Sequence, residues 1–425
     1  MTPTLAPAPR SKLWRDRGFS TFWAGYTVSQ FGDRVTELAL PLIAVVMLGA
    51  TAGQVGVLTA AIWLPSLLSL LVGAWVDQQD RKRRLMVLAD IARAAVLLSL
   101  PVAYLLDAVT FGQLIAVALL TGAGQVVFNM AYPSFFVALV DRDSYLDANS
   151  KLSTSRAASF VAGPAVGGAL IQAVTAPVAV LVDAVSFAVS AVLLGRLRVD
   201  EGVRVQEQSS PLAGRAAEGL RFISRHPILR ACLGCSTTLN FFTFVGNALL
   251  VLFASRQLGL SAGVIGLAFG VGAVGGLLGA ALAPALARRI GVGRSIVAGA
   301  VLFPAPLALA AAAGGSPLMR AAVLSAAELL SSIGVMLFDV NQNALRTVVT
   351  PDELRGRTAG AFSAVNYGVR PLGAVVGGTL GTTLGLRPTL LVAAVGGTLG
   401  FVWLLPSPIP HIADLHDTSG RTRTA

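Results

Sequence analysis

Asp33, Arg34 and Glu37 interrupt one long apolar run of this sequence, Glu328 interrupts a second and Arg370 a third. An apolar surrounding favours the protonated form of a carboxylate, and a nearby guanidinium favours the ionised form. Groups balanced between these effects can take up a proton on one side of a barrier and release it on the other. Their spacing points to a shared face. Tyr26, Gln30, Asp33 and Glu37 recur at helical intervals and form one stripe of a helix. Three other runs carry comparable stripes: Gln125, Asn129 and Tyr132; Asn240, Phe244 and Asn247; Glu328, Ser332 and Asp339. Four such stripes give four helices a polar or aromatic face, with Asp33, Glu37 or Glu328 as candidate protonation sites and Arg34 or Arg370 as countercharge. The same charges also allow permanent ion pairs, Asp33 with Arg370 for example. Asp90 and Arg93 read as a structural pair, and Asp183 is open to either role.

Other chemistry is poorly supplied. His226, His411 and His416 all lie outside the apolar runs, so no histidine base or metal cluster is expected within them. Cys232 and Cys235 form a C-x-x-C inside an apolar run, without the aqueous context of a redox or metal site, and read as inert thiols. No G-x-x-x-x-G-K-[ST] phosphate loop occurs. These observations argue against an enzyme, a metal site or an ATP-driven pump. No cofactor is expected, and protonation of the buried carboxylates is the chemistry these residues offer.

The elements that position these residues follow from composition. The chain has 425 residues, of which 55% are hydrophobic and only 12% charged, with 45 glycines. A soluble domain carries about 25% charged residues. The deficit, with repeated apolar runs of about 20 residues, indicates an integral membrane protein. The net charge of +11 is scattered between the runs, which argues against nucleic acid as a partner. Apolar runs are read at 19–47, 54–76, 84–106, 111–139, 155–175, 177–197, 229–254, 261–287, 292–313, 318–340, 358–385 and 388–405. Lipid offers no partner for backbone N–H and C=O groups, so each is expected to be helical. The first run is too long for a signal-peptide core and is expected to be retained.

Basic residues crowd one set of loops, including Arg81 to Arg84, Arg142, Arg196, Arg288, Arg289, Arg355 and Arg357. The opposite loops hold only Arg256, Arg320 and Arg387. By the positive-inside rule both termini are expected in the cytoplasm, in an inner or plasma membrane. The organisation predicted is an N-terminal segment 1–18, a six-helix half 19–197, a central loop 198–228, a second half 229–405 and a tail 406–425. Within the loop, Leu212, Leu220 and Ile223 among arginines suggest a short amphipathic helix on the membrane surface, a solvated linker being the alternative. "LVDRDSYLDANSKL" and "VVTPDELRGRTAGA" occupy corresponding places in the two sets of six. This echo suggests parallel repeats of the kind built into secondary transporters.

The polar interruption "GAWVDQQDRKRRL" carries a more specific signal. Gly73, Asp77, Arg81 and Lys82 match G-x-x-x-D-x-x-x-[RK]-[RK], the loop between the second and third helices of the major facilitator superfamily. Gln78 and Asp80 depart from the usual basic residue and glycine. "SQFGDRVTELALPL", "LADIARAAVLL", "FNMAYPSFFVALVDRDSYLDANS", "EGLRFISRHPILR" and "PDELRGRTAGAF" resemble further segments, in order, of the exporter branch that holds enterobactin exporters and Tap-like or macrolide efflux pumps. The resemblance implies an all-α fold of twelve transmembrane helices in two pseudo-symmetric halves. Helices 1, 4, 7 and 10 would line the cavity, and helices 2, 5, 8 and 11 would meet between the halves. It implies that Asp77 and Arg81 latch the halves, with Asp141 as a partner for Arg81. Gly163, Pro164, Gly167 and Gly168 resemble the fifth-helix motif associated with antiporters, and Gly373 and Gly377 continue the glycine seams in span 11.

The function expected is proton-coupled export of hydrophobic or amphipathic small molecules by alternating access, as in multidrug efflux and antibiotic resistance. A monomer is expected, with substrate, protons and the bilayer as its partners. A dedicated siderophore or metabolite exporter is the alternative, ahead of an importer or a non-transporting sensor.

Overall fold

Asp16 starts the first membrane helix by accepting hydrogen bonds from the backbone N–H groups of Gly18 (2.8 Å) and Phe19 (3.3 Å). Such a cap satisfies donors that a first helical turn leaves open. Thr51 and Gln54 form a reciprocal capping box at the second helix, and Thr110 and Ser316 cap the fourth and tenth. The structure, a computed structural model, describes residues 16–199, 201 and 212–414. The basic residues before Asp16 and after Asp414, and the segment between 201 and 212, lie outside the described residues.

In the first half the helices run Arg17–Leu42, continued by a π-helical turn Ile43–Met47; Ala52–Trp63, continued through a 3₁₀ turn into Ser69–Asp77; Lys82–Leu105; Phe111–Leu139; Tyr145–Val174; and Ala176–Arg196. A surface helix, Leu212–Arg225, precedes the second half. There the helices run Pro227–Arg256; Ala262–Ile290; Val292–Leu302, broken before Pro306–Ala311; Pro317–Val349; Arg355–Thr383; and Leu386–Thr398, continued by a 3₁₀ turn Leu399–Trp403. No strand occurs among the described residues.

Among the described residues nine helices are long and apolar enough to cross a membrane, ten when the bent second rod is counted as one span. The first helix is as long but carries Asp33, Arg34 and Glu37; the eleventh carries Arg370 among many glycines, serines and threonines. The surface of the bundle is apolar, with Leu105 80% and Leu318 79% exposed. Acyl chains accommodate such a surface, whereas water would drive it to aggregate.

The sequence echo between the halves has a structural counterpart. A 3₁₀ turn, Arg142–Ser144, leads into the fifth helix, and another, Asp352–Leu354, leads into the eleventh. The surface helix is docked on the eleventh helix. Glu218 pairs with Arg357 at 2.5 Å, Ile223 is fully buried, and Gly219 lies against the Arg357 backbone.

Candidate functional site: a buried polar network

Gly32 leaves room on the first helix for the sixth. A Cβ there would meet Asp183 and Ser186, and through this gap Thr36 donates to the Asp183 carboxylate. Asp183 is 1% exposed and also accepts from Ser186 Oγ at 3.0 Å. Asp33 is part-buried and lies within electrostatic reach of Asp183, Asp90, Arg93 and Arg34. On the third helix, Asp90 and Arg93 form a buried ion pair, 0% and 2% exposed. Arg93 donates its second terminal nitrogen to Gln125 Oε1, and its guanidinium lies 3.9 Å from the Phe187 ring centroid. Gln125 reaches on to Asn129 Oδ1 at 3.4 Å. The first, third, fourth and sixth helices thus share one network in which Asp33, Asp90 and Asp183 surround Arg93. Asp183 and the Asp90–Arg93 pair are members that helical stripes alone do not reveal. The signal for them is a charge inside an apolar run.

Arg34, though within electrostatic reach of Asp33, makes its own ion pair outside that network. It pairs with Glu37 at 2.6 Å, lies over the Phe160 ring at 5.5 Å and fills the space left by Gly163 on the fifth helix. Gly272 on the eighth helix lies against Glu328, where an added Cβ would fall 2.9 Å from the Glu328 Cβ. Gly270, half a turn away, lies against Val161 and Ala165 of the fifth helix. These contacts place Arg34 and Glu328 in the same layer on either side of the junction between the fifth and eighth helices. Glu328 takes no hydrogen bond or ion pair among the described residues.

Arg370 makes no ion pair with Asp33 among the described residues. It donates Nε to Asn240 Oδ1 at 3.2 Å and sits 4.4 Å from the Trp63 ring centroid, 4.4 Å from Tyr367 and 5.2 Å from Phe244. Its rotation about the eleventh helix aims it at the seventh and second. Among the other stripe residues, Tyr26 and Tyr132 stack with ring centroids 6.0 Å apart. Gln30 and Ser332 are part-buried, and Asn129 and Asn247 are exposed.

The glycines sort differently from their sequence grouping. Gly163 and Gly167 face Arg34 and Val35 of the first helix, within one half, and Gly373 and Gly377 face Phe241 and Val245 of the seventh. The contacts between halves are made one residue on. Gly168 meets Gly266, whose added Cβ would also strike the Pro164 carbonyl, and Gly378 meets Gly56. Close by, Gln172 accepts from Ser261 Oγ and Gly263 N, each at 3.0 Å, and Arg256 donates to the Val45 carbonyl at 3.1 Å. All of these lie at the end away from the basic loops. That end is closed.

At the basic end the latch residues stand apart. Asp77 and Arg81 are exposed, and the pairing expected of Arg81 with Asp141 is absent among the described residues. Lys82 instead donates to the carbonyls of Val76 and Asp77, and Arg83 to those of Gly195 and Leu197. Gly73 lies against Met130. The second rod bends by 48° between its far and basic segments, so its basic segment leans toward the fourth helix.

The family model described as Major Facilitator Superfamily matches residues 22–367, with a second match over 233–423. The chain is similar to the multidrug efflux pump Tap of Mycobacterium tuberculosis, 27% identical over 86% of this chain and 87% of that one. It is also similar to the uncharacterized MFS-type transporter YfiS of Bacillus subtilis, 26% identical over 88% and 89%. Among solved structures, a bacterial homologue of the iron transporter ferroportin in its inward-facing state superposes with a TM-score of 0.74 at 20% identity, covering 92% of this chain and 98% of that one. Its outward-facing state gives 0.57. The likeness to those structures is one of fold. With the family match spanning nearly the whole chain, the protein is a multi-pass membrane transporter belonging to the Major Facilitator Superfamily.

Proposed function

We propose that this protein is a proton-coupled exporter of hydrophobic or amphipathic small molecules. The reading puts the basic end in the cytoplasm, in keeping with the positive-inside rule. Substrate enters from that end while the far end is closed. The halves then rock, the far end opens, and substrate leaves as protons bind.

The observation that carries the proposal is the excess of carboxylates over cations in the network of Asp33, Asp90, Asp183 and Arg93. Ionising all three acids there would leave uncompensated charge in a low-dielectric interior, which is costly. A proton held by the cluster removes that cost, and rocking changes its access to water. Asp33 is the exchangeable member, because Asp183 is held by two hydroxyls and Asp90 by Arg93. Each proton moved inward contributes about 2.3 kcal/mol per 100 mV of membrane potential. The mycobacterial relatives named as multidrug efflux pumps support the export direction and the substrate class.

The test is efflux of a dye panel from proteoliposomes under an imposed pH gradient. Asp33→Asn should abolish gradient-driven efflux while leaving substrate counterflow. Glu37→Gln and Glu328→Gln reveal whether a second site participates. Wild-type behaviour in all three variants would defeat the coupling assignment, and indifference to a collapsed gradient would defeat proton antiport. A single saturable substrate across the panel would indicate a dedicated metabolite exporter instead.

A further inference from the structure

We propose that Arg370 anchors an anionic group of the transported molecule, so that the preferred substrates are planar aromatic anions or zwitterions. The inference rests on the reading that the central cavity receives a small molecule, and it does not depend on proton antiport.

Arg370 is held in one orientation by its Nε bond to Asn240. Asn240 is itself fixed, donating to the Ser236 carbonyl at 2.9 Å and to Asn366 Oδ1 at 3.2 Å. The two terminal guanidinium nitrogens take no hydrogen bond or ion pair among the described residues. Other charges in the region are committed or distant. Arg34 and Glu37 satisfy one another, and Asp339 on the tenth helix is within electrostatic reach of Arg370 but makes no ion pair with it. The guanidinium keeps a free fork of donors whose geometry matches a carboxylate.

The surroundings of that fork are aromatic. Trp63 and Tyr367 lie nearly parallel, at 13° with centroids 6.3 Å apart, and Phe244 meets Trp63 edge-on at 5.2 Å. Rings of this kind stack on a planar ligand. Trp63 belongs to the first half, Phe244 and Tyr367 to the second. Trp63 lies seven residues from Gly56 and Arg370 eight from Gly378, about two helical turns toward the basic end from the closed contact between those glycines. A ligand on Arg370 would therefore touch both halves near the point where they part, and its departure would be felt by both. A cationic aromatic would meet like charge at the same place.

Where the exchange is with protons, charge transfer gives a further readout. Exchange of one anion outward for one proton inward moves two charges in the same sense, so an inside-negative potential accelerates it. Exchange of a monovalent cation for a proton moves no net charge.

The decisive experiment measures equilibrium binding of 2-naphthoate and 2-naphthylmethylammonium to the purified full chain in nanodiscs, at about 0.15 M salt to screen surface charge. No gradient is applied, so the outcome is separate from the antiport test. Wild type should bind naphthoate about tenfold or more tighter than the ammonium compound, the range for a hydrogen-bonded charge pair. Arg370→Met should abolish the preference, and Arg370→Lys, which keeps the charge but loses the fork, should retain part of it. Equal or reversed wild-type preference overturns the proposal, as does undiminished naphthoate affinity in both variants. If naphthoate binds as expected while gradient-driven efflux fails, the anchor stands and the exporter reading falls.

Discussion

Gly168 of the fifth helix and Gly266 of the eighth are packed backbone to backbone: a Cβ added to Gly266 would lie 2.8 Å from the Gly168 Cα. The second and eleventh helices repeat the relationship, where a Cβ on Gly56 would lie 2.7 Å from the Gly378 Cα. Two symmetric glycine contacts thus close the far end. Small residues at such crossings let helices gain packing that side chains would block.

Gly266→Ala should therefore disfavour this closed arrangement by about 1–3 kcal/mol, the usual cost of overpacking. Spin labels at residues 112 and 383, on opposite halves at the far end, should show a longer mean distance in the variant. An unchanged distance distribution would mean that the contact is slack.

Gln172 closes the same end by a different means. Its side-chain oxygen accepts two hydrogen bonds across the junction, from Ser261 and Gly263. Gln172→Ala removes both, each contributing about 0.5–1.5 kcal/mol. The same label pair should report roughly a tenfold shift toward the open population, with thermal stability little altered.

The buried Asp90–Arg93 pair predicts asymmetry between single and double substitutions. Asp90→Ala removes the ion-pair partner of a buried guanidinium, and loss of about 3–5 kcal/mol is expected. Asp90→Leu with Arg93→Met should recover most of that loss at a pH low enough to keep Asp33 and Asp183 protonated, because desolvation of both charges disappears with their attraction. Melting curves in detergent measure the difference. A double variant no more stable than the single would refute this account.

His226 precedes the seventh helix at the foot of the docked surface helix, with a buried Nδ1 that has no hydrogen-bond partner. Burial holds its pKa below the ordinary value. A neutral histidine that is harder to protonate when folded contributes stability that is fully present above the unfolded pKa of about 6.5 and is lost as pH falls from there through the lower folded pKa. The hydrogen-exchange protection factors of residues 218–225 should fall below about pH 6.5. His226→Gln should flatten the response.

Much of the architecture was legible in the chain because hydropathy and helical period are local properties. The charged loop Arg81–Arg84 and the paired turns before the fifth and eleventh helices were readable in the same way. The stripe through Tyr26, Asp33 and Glu37 was visible, but it did not separate Asp33, which reaches Arg93 and Asp183, from Glu37, which binds Arg34. Residues three or four apart on a helix share a stripe, yet a modest rotation sends them to different neighbours.

What the sequence alone determined is the medium and the secondary structure: too few charges for water, apolar runs long enough to cross a bilayer, and no partner but the chain's own backbone for buried amides. Only the packed structure decided the azimuth of each rod. A helix turns about 100° per residue, so Gly377 faces the seventh helix while Gly378 faces Gly56 in the other half. The same rotation sets Arg370 among aromatic rings. Side-chain volumes on all the neighbouring helices fix that angle jointly, and no single stretch of sequence contains it.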